Sequence, residues 1–338
     1  MREAMFYELE ENNKVRCGLC RFGCVISNGH RGHCNVRENR DGKLYSLVYG
    51  KLIARHVDPI EKKPLFHVMP GSSTYSIATQ GCNFRCHNCQ NYTISQLGSH
   101  DIIQGSQHTP GQIVSGALES GCRSISYTYT EPTVFFEFAL DTARLAREAG
   151  LANIFVTNGY ISKNALETLS PYLDAANIDL KGFSEEFYRN IVEARLSEVL
   201  DSIIEYRRQG IWIEITTLLI PGLNDSDHDL EGIADFILHN LGANTPWHVT
   251  SFYPTFKLTD RPATPAETLR RAVEIGKAAG LHHIYEGNTP GTDGENTYCP
   301  ACSCLLIRRR GFSVLENRLN LGACPDCGQS IAGVGLQL

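Results

Sequence analysis

A chain of 338 residues can bury one barrel-sized core with appendages, and 42% hydrophobic with 20% charged residues is the balance of an ordinary soluble enzyme. Thirty-one Lys and Arg against 37 Asp and Glu leave a net charge of −6, so no overall basic field recruits nucleic acid. No run of about 18 apolar residues occurs, and the acidic stretch 1–11 lacks an apolar core of signal-peptide length; the sequence reads as cytoplasmic, with no membrane partner.

The thirteen cysteines sort by spacing into three groups, leaving Cys122 and Cys304 over. Without a secretory signal, such groups read as metal sites rather than disulfides. The first lies in segment 1–74: Cys17, Cys20, Cys24 and Cys34, with glycines at 18, 23, 29 and 32 for tight turns. Its spacing is compatible with structural zinc or with an iron–sulfur cluster, and points to a closed, non-catalytic site. His30 and His33 stand near enough to compete as ligands. Two strand-like runs, 44–49 and 51–55, are broken at Gly50-Lys51 and predict a hairpin. A proline-flanked charged connector, 58–67, follows.

The second group is Cys82, Cys86 and Cys89, in the pattern C-x3-C-x2-C directly after a strand-like run, 75–79. So tight a loop can turn three thiolates toward one inorganic centre. A four-iron cube is usually held by four cysteines, so three ligands leave one iron open, and an open metal position marks a catalytic site. The plain alternative is an incomplete zinc knuckle with a distant fourth ligand.

From 75 to 287 strand-like and helix-like runs alternate. Strand candidates are 75–79, 124–130, 153–157, 175–180, 211–219 and 248–252. Helix signals open at Thr109-Pro110, Val134, Ser162, Glu198, Asp227 and Thr264-Pro265. Alternation at this spacing implies a parallel sheet with helical crossovers, either a (β/α) barrel or a doubly wound open sheet. Strand ends carry Thr130-Glu131-Pro132, Thr157-Asn158-Gly159 and Asp179-Leu180-Lys181, and His248 lies on the sixth strand. Lys181 offers a cation to a carboxylate and Asp179 an acceptor to hydroxyls. Each also has a plain structural reading: Glu131 as a helix cap, Asn158-Gly159 as a turn, Asp179 and Lys181 as a local ion pair, His248 as a satisfied core histidine.

The last segment, 288–338, holds Cys299-Pro300-Ala301-Cys302 and Cys324-Pro325-Asp326-Cys327, two knuckles around a hairpin-sized insert. This is a strong ribbon signal for four-cysteine zinc or rubredoxin-type iron, with Cys304 as a spare or competing ligand. Arg308-Arg309-Arg310 invites a nucleic-acid reading, but in an acidic chain it reads first as a solvated turn.

The stretch 81–92 resembles the cluster loop of radical S-adenosylmethionine (SAM) enzymes, and its wording is similar to the branch containing pyruvate formate-lyase activating enzymes. The residue before the third cysteine, aromatic in that branch, is Asn88 here. Phe84 and Tyr92 are the nearby aromatics that could stack on the SAM adenine. The resemblance implies a partial (β/α)6 TIM-like barrel flanked by two small cysteine-rich segments. It also implies a [4Fe–4S] cluster whose open iron binds SAM, reductive SAM cleavage to a 5′-deoxyadenosyl radical, and a reductant such as flavodoxin or ferredoxin. By the same resemblance Glu131, Asn158, Asp179, Lys181 and His248 would touch SAM, although Tyr129-Thr130 stands where the family carries two glycines before Glu131. Segments 58–65, 70–72, 127–133 and 220–225, with the terminal knuckles, resemble the AmmeMemoRadiSam-system enzymes. Those are named for companionship with Memo-type and AMMECR1-type proteins, and their substrate does not follow from the resemblance. An activase acting on a glycine of a partner protein and a non-catalytic metal- or nucleic-acid-binding protein are the alternatives.

Overall fold

The structure, a computed structural model, describes residues 1–289 and 293–337. Met1–Asp58, Ser73–Asp174 and Glu198–Ile211 form one compact unit. Pro59–Ser72, Ala175–Ser197 and the described residues from Trp212 onward form a second.

The first unit contains three parallel strands, β1 (Ser73–Thr79), β2 (Ser124–Tyr127) and β3 (Ala152–Thr157), with Ser124 of β2 opposite Thr74 on one side and Ala152 on the other. From its second residue on, β1 is buried without alternation, as a parallel strand covered on both faces must be. Helix α1 (Pro110–Glu119) begins where the sequence signals it: Thr109 and Gln112 form a reciprocal capping box and Pro110 takes the first turn. Helix α2 (Phe136–Glu148) follows a short 3-10 turn, Pro132–Phe135, and α3 (Lys163–Leu169) is capped by Ser162. Helix α4 (Leu196–Arg208) lies in this unit from Glu198 onward.

The N-terminal segment is built from two small antiparallel sheets. One joins Tyr7–Leu9, Val15–Cys17 and Val25–Ile26; the other joins Arg2–Glu3, Lys43–Ser46 and Arg37–Arg40. The expected hairpin across Gly50-Lys51 does not form. Lys43–Ser46 turns back at Asp41-Gly42 to pair with Arg37–Arg40, while Lys51–Pro59 pairs with Ser106–Gln107 far along the chain. Asp41 and Gly42 both take positive φ, 52° and 82°, which is the type I′ signature of a two-residue hairpin.

The second unit carries β4 (Ala175–Asp179), β5 (Trp212–Leu219), β6 (Trp247–Ser251) and β7 (Ile284–Gly287), all parallel to their neighbours. Helix α5 (Asp227–Asn240) is capped by Ser226, and α6 (Ala266–Ala279) ends on Gly280 at φ 103°. Strand β7 is not among the six expected strands. It is too short to register as a run in the sequence, and its parallel pairing with β6 is what fixes it.

Thr297–Tyr298, Leu305–Arg310 and Ser313–Asn317 make an antiparallel ribbon over a small core of Leu306, Ile307, Ile331 and Leu336 with Cys299 and Cys324. The arginine run is strand, not a solvated turn. Arg308 pairs with Glu316, and Arg309 is buried. Its Nη1 bonds Thr297 Oγ1 at 2.7 Å and its Nη2 the Phe66 carbonyl at 2.8 Å, with the guanidinium 4.3 Å over the Phe66 ring. No helix among the described residues is long and apolar enough to cross a membrane.

Candidate cofactor site and metal centres

Three strand ends of the first unit meet at one place. Strand β1 ends at Thr79 and the chain turns through Gly81 (φ 100°), where a Cβ would lie 2.5 Å from Val36 Cγ1 and 3.2 Å from the Cys34 carbonyl. Only glycine fits there without displacing the N-terminal segment. The cysteine loop that follows is tied down by Gly81 N to Ile94 O at 3.0 Å, Gln96 Nε2 to Phe84 O at 3.2 Å, and an Arg85 bond to the His33 carbonyl. Cys82 Sγ accepts from Phe84 N at 3.3 Å, and Asn158 Nδ2 lies 3.8 Å away. Cys89 Sγ and Ser95 Oγ lie 3.1 Å apart. Burial first, then the nearby Glu131 charge, pushes the Cys82 thiol well above its ordinary pKa. A bound cation is what would offset that cost and hold it as thiolate.

Glu131 is fully buried and serves four donors. Thr133 N, Thr133 Oγ1 and Thr157 Oγ1 donate to Oε1 at 3.0, 2.6 and 2.8 Å, and Asn158 N donates to Oε2 at 2.8 Å. It caps the turn after β2 and fixes the end of β3, while burial raises its pKa against those bonds. Asn158 in turn gives Nδ2 to Asn83 Oδ1 at 2.8 Å and takes Tyr160 N on Oδ1 at 3.0 Å. The strand-end turn and the cysteine loop are thus one hydrogen-bonded assembly. Tyr129 adopts φ 64°, the left-handed conformation that glycine takes at no cost, at the position where the resembling family carries glycine. Its hydroxyl bonds Asp58, and its carbonyl accepts from Asn91 Nδ2 at 2.8 Å.

Of the two aromatics offered for adenine stacking, Phe84 is buried and packs edge-on against Tyr160, centroids 5.1 Å apart, so it belongs to the core; Tyr92 is 38% exposed. Asn88 is buried, and its Oδ1 has no hydrogen-bond partner.

In the second unit, Asp179 and Lys181 close β4 as a 2.8 Å ion pair, both partly exposed. The backbone around Lys181 is clamped: its N–H donates to Tyr188 Oη, and its carbonyl accepts from Asn224 Nδ2 at 2.6 Å. Asn224, buried, also bonds Leu218 O and Ile220 N, which explains why a turn of sequence 220–225 follows β5. His248 lies near the start of its strand, where the run 248–252 puts it: it is the second residue of β6, and its Nε2 is bonded to Glu214 at 2.7 Å. Glu214 also accepts from Phe66 N, His67 N and Trp212 Nε1. These bonds outweigh burial and lower its pKa, and nothing in the sequence around Glu214 signals the network.

The terminal cysteines form the tightest group. Among the described residues, Cys299, Cys302, Cys324 and Cys327 are the one set of His, Cys, Asp or Glu ligand atoms all within 4.8 Å of one another. The Cys299–Cys327 and Cys302–Cys324 sulfur separations are 3.6 and 3.7 Å. A tetrahedral ion with M–S bonds of about 2.3 Å sets sulfurs roughly 3.8 Å apart, so these four fit a single metal ion. Cys304 stands aside, its Sγ accepting from Arg318 Nη1 at 3.2 Å. Cys17, Cys20, Cys24 and Cys34 line a common small cavity with His33, Arg37 and Asn83, whereas His30 is exposed and bonds Asn28 O. Cys122 is a buried core thiol.

Residues 76–237 match the family described as Radical SAM superfamily. An uncharacterized protein of Methanocaldococcus jannaschii is 47% identical over 333 residues, covering 98% of this chain and 99% of that one. A second protein of that organism, provisionally named a glycyl-radical enzyme activating enzyme, is 26% identical over 54% of this chain and 68% of its own. Among solved structures, a radical SAM methyltransferase from Sphaerobacter thermophilus superposes with TM-score 0.51 at 17% identity, over 70% of this chain and 71% of that one. That likeness carries the α/β fold.

Proposed function

The chain belongs to the radical SAM superfamily, and from that premise we propose that it cleaves SAM reductively and uses the resulting 5′-deoxyadenosyl radical to take hydrogen from a substrate still to be identified. Cys82, Cys86 and Cys89 would hold a [4Fe–4S] cluster, which supplies the electron and the open iron at which SAM is chelated. The observation that carries this reading is the convergence of three strand ends on the cysteine loop through Glu131, Asn158 and Asn83. The donor set fits: three thiols on one pinned loop, none of them in the single-ion spacing of the terminal four. Asn158 stands beside Cys82 Sγ, where an N–H donor tunes a cluster's potential. Glu131 orients Asn158 and sets negative charge near the loop, and Lys181 and Asp179 offer a carboxylate partner and a hydroxyl acceptor. His248, bonded to Glu214, is the remaining residue offered for contact with SAM.

Anaerobic protein reconstituted with iron and sulfide, then given SAM and dithionite, is expected to form 5′-deoxyadenosine, and Cys86→Ala to form none. Cluster-loaded wild-type protein that yields no 5′-deoxyadenosine would overturn the assignment. A second reading, activation of a glycyl-radical partner, is supported by the similarity to the relative so named. Its mark would be a glycyl-radical EPR signal on the partner. In either case the working context is cytoplasmic, with a flavodoxin or ferredoxin as reductant and Memo-type or AMMECR1-type proteins as the companions to test.

A further inference from the structure

We propose that the N-terminal cysteines Cys17, Cys20, Cys24 and Cys34 hold a second cubane iron–sulfur cluster rather than a single metal ion, packed against the Cys82–Cys89 loop. Two metal-binding cysteine quartets in one chain allow a direct comparison. The terminal quartet has its sulfurs in mutual contact, at 3.6 and 3.7 Å across two pairs, as one ion demands. No three of the N-terminal sulfurs all lie within 4.8 Å of one another, yet the four cysteines line one cavity of about 20 Å³. Sulfurs about 2.3 Å from a single zinc leave no space between them for a water-sized sphere. In a cubane cluster each cysteine binds a different iron, so the cysteine sulfurs stand well apart around a core that fills the gap.

The second observation is a set of unpaired donors at the same cavity. Arg37 and Asn83 both line it and are both only 1% exposed. Arg37 spends one nitrogen on Glu137 and Met5 O, which leaves Nε and Nη1 with no partner; Asn83 Nδ2 likewise has none. Three unsatisfied buried donors beside four sulfurs are costly unless an acceptor sits among them. A thiolate-bound cluster, with net negative charge and inorganic sulfides, supplies that acceptor, and N–H···S bonds of this kind are a normal part of such sites. Asn83 belongs to the cysteine loop, and its Oδ1 is already held by Asn158. Gly81 of the same loop packs on Val36 and the Cys34 carbonyl. One side chain and one close backbone contact therefore join the two sites.

The test uses the full-length chain with Cys82, Cys86 and Cys89 all changed to Ala, purified and reconstituted without oxygen, so its outcome does not depend on SAM cleavage. The expected protein retains ~4 iron and ~4 acid-labile sulfide per chain, with a reduced-cluster EPR signal. Further replacement of Cys20 and Cys34 by Ser should remove the sulfide while leaving the metal of the terminal quartet. Zinc at both quartets with no labile sulfide, or a folded chain whose N-terminal quartet takes up no iron, would each overturn the proposal. A control keeps this independent of folding: circular dichroism of the triple variant should match wild type.

Discussion

Gly81 concentrates at one residue the demands that the cysteine loop makes on its surroundings. Its φ of 100° excludes other residues on backbone grounds alone, at about 1–3 kcal/mol. The 2.5 Å approach to Val36 Cγ1 adds an overpacking cost of about 1–3 kcal/mol. Gly81→Ala should therefore destabilise the chain by about 2–6 kcal/mol and lower iron uptake on reconstitution. Gly150→Ala, at φ 76° with open space where its Cβ would go, should cost only the backbone part. A Gly81→Ala protein with unchanged melting temperature and iron content would show that the loop does not depend on this contact. The comparison of the two glycines also shows what a sequence conveys: each is visible as a turn residue, but only the folded neighbour, Val36, separates them. Asn158 carries the same ambiguity. Its turn reading holds, and the turn delivers its side chain to Asn83 and Cys82, while its contact with SAM belongs to the proposal.

At the scale of elements, legibility follows the range of the forces that define each element. Helix α5 opens at Asp227 as expected because its cap, Ser226, and its apolar face are local. The Gly50-Lys51 hairpin fails because the pairing of Lys51–Pro59 with Ser106–Gln107 is decided far along the chain, while the local turn signal that the fold does use is Asp41-Gly42. His248 lies at the start of the expected strand, but its bond to Glu214 joins two strands distant in the chain, so no local pattern announces it. The arginine run is the sharpest case: charge suggests solvent, yet Arg309 is buried with Glu61, 3.6 Å from its Nε, equally buried. Removing one partner of such a pair leaves an uncompensated buried charge at about 3–5 kcal/mol. Arg309→Met should lower the melting temperature sharply, while Glu61→Gln combined with Arg309→Met should recover part of the loss. Arg308→Ala, which breaks only an exposed pair with Glu316, should be nearly neutral. Equal effects at Arg308 and Arg309 would contradict the buried-pair account.

The whole chain's response to acid follows from its second unit, where buried histidines are held neutral. Burial is the main cause at His283, pushed down to about 2, and at His67, also lowered; their ring centroids lie 4.4 Å apart. An unfolded histidine takes up its proton near pH 6.5, and the folded one at His283 does not until far lower. The unfolded state therefore binds more protons across that window, so stability is full above about pH 6.5 and is lost as pH falls below it. One such histidine removes about 1.4 kcal/mol between about pH 7.5 and 5.5. Urea unfolding at those two pH values should show the loss in wild type, and His283→Gln should diminish it by about that amount. If the variant's pH dependence matched wild type, the acid sensitivity would have to arise elsewhere, and carboxylates such as Glu214, whose lowered pKa sheds stability at still lower pH, would be the groups to examine. The same burial keeps His67 bonded to Tyr285, whose hydroxyl also lies 2.9 Å from Thr297 Oγ1. Acid should therefore loosen that network at the strand starts before it reaches carboxylates that titrate below the histidine range.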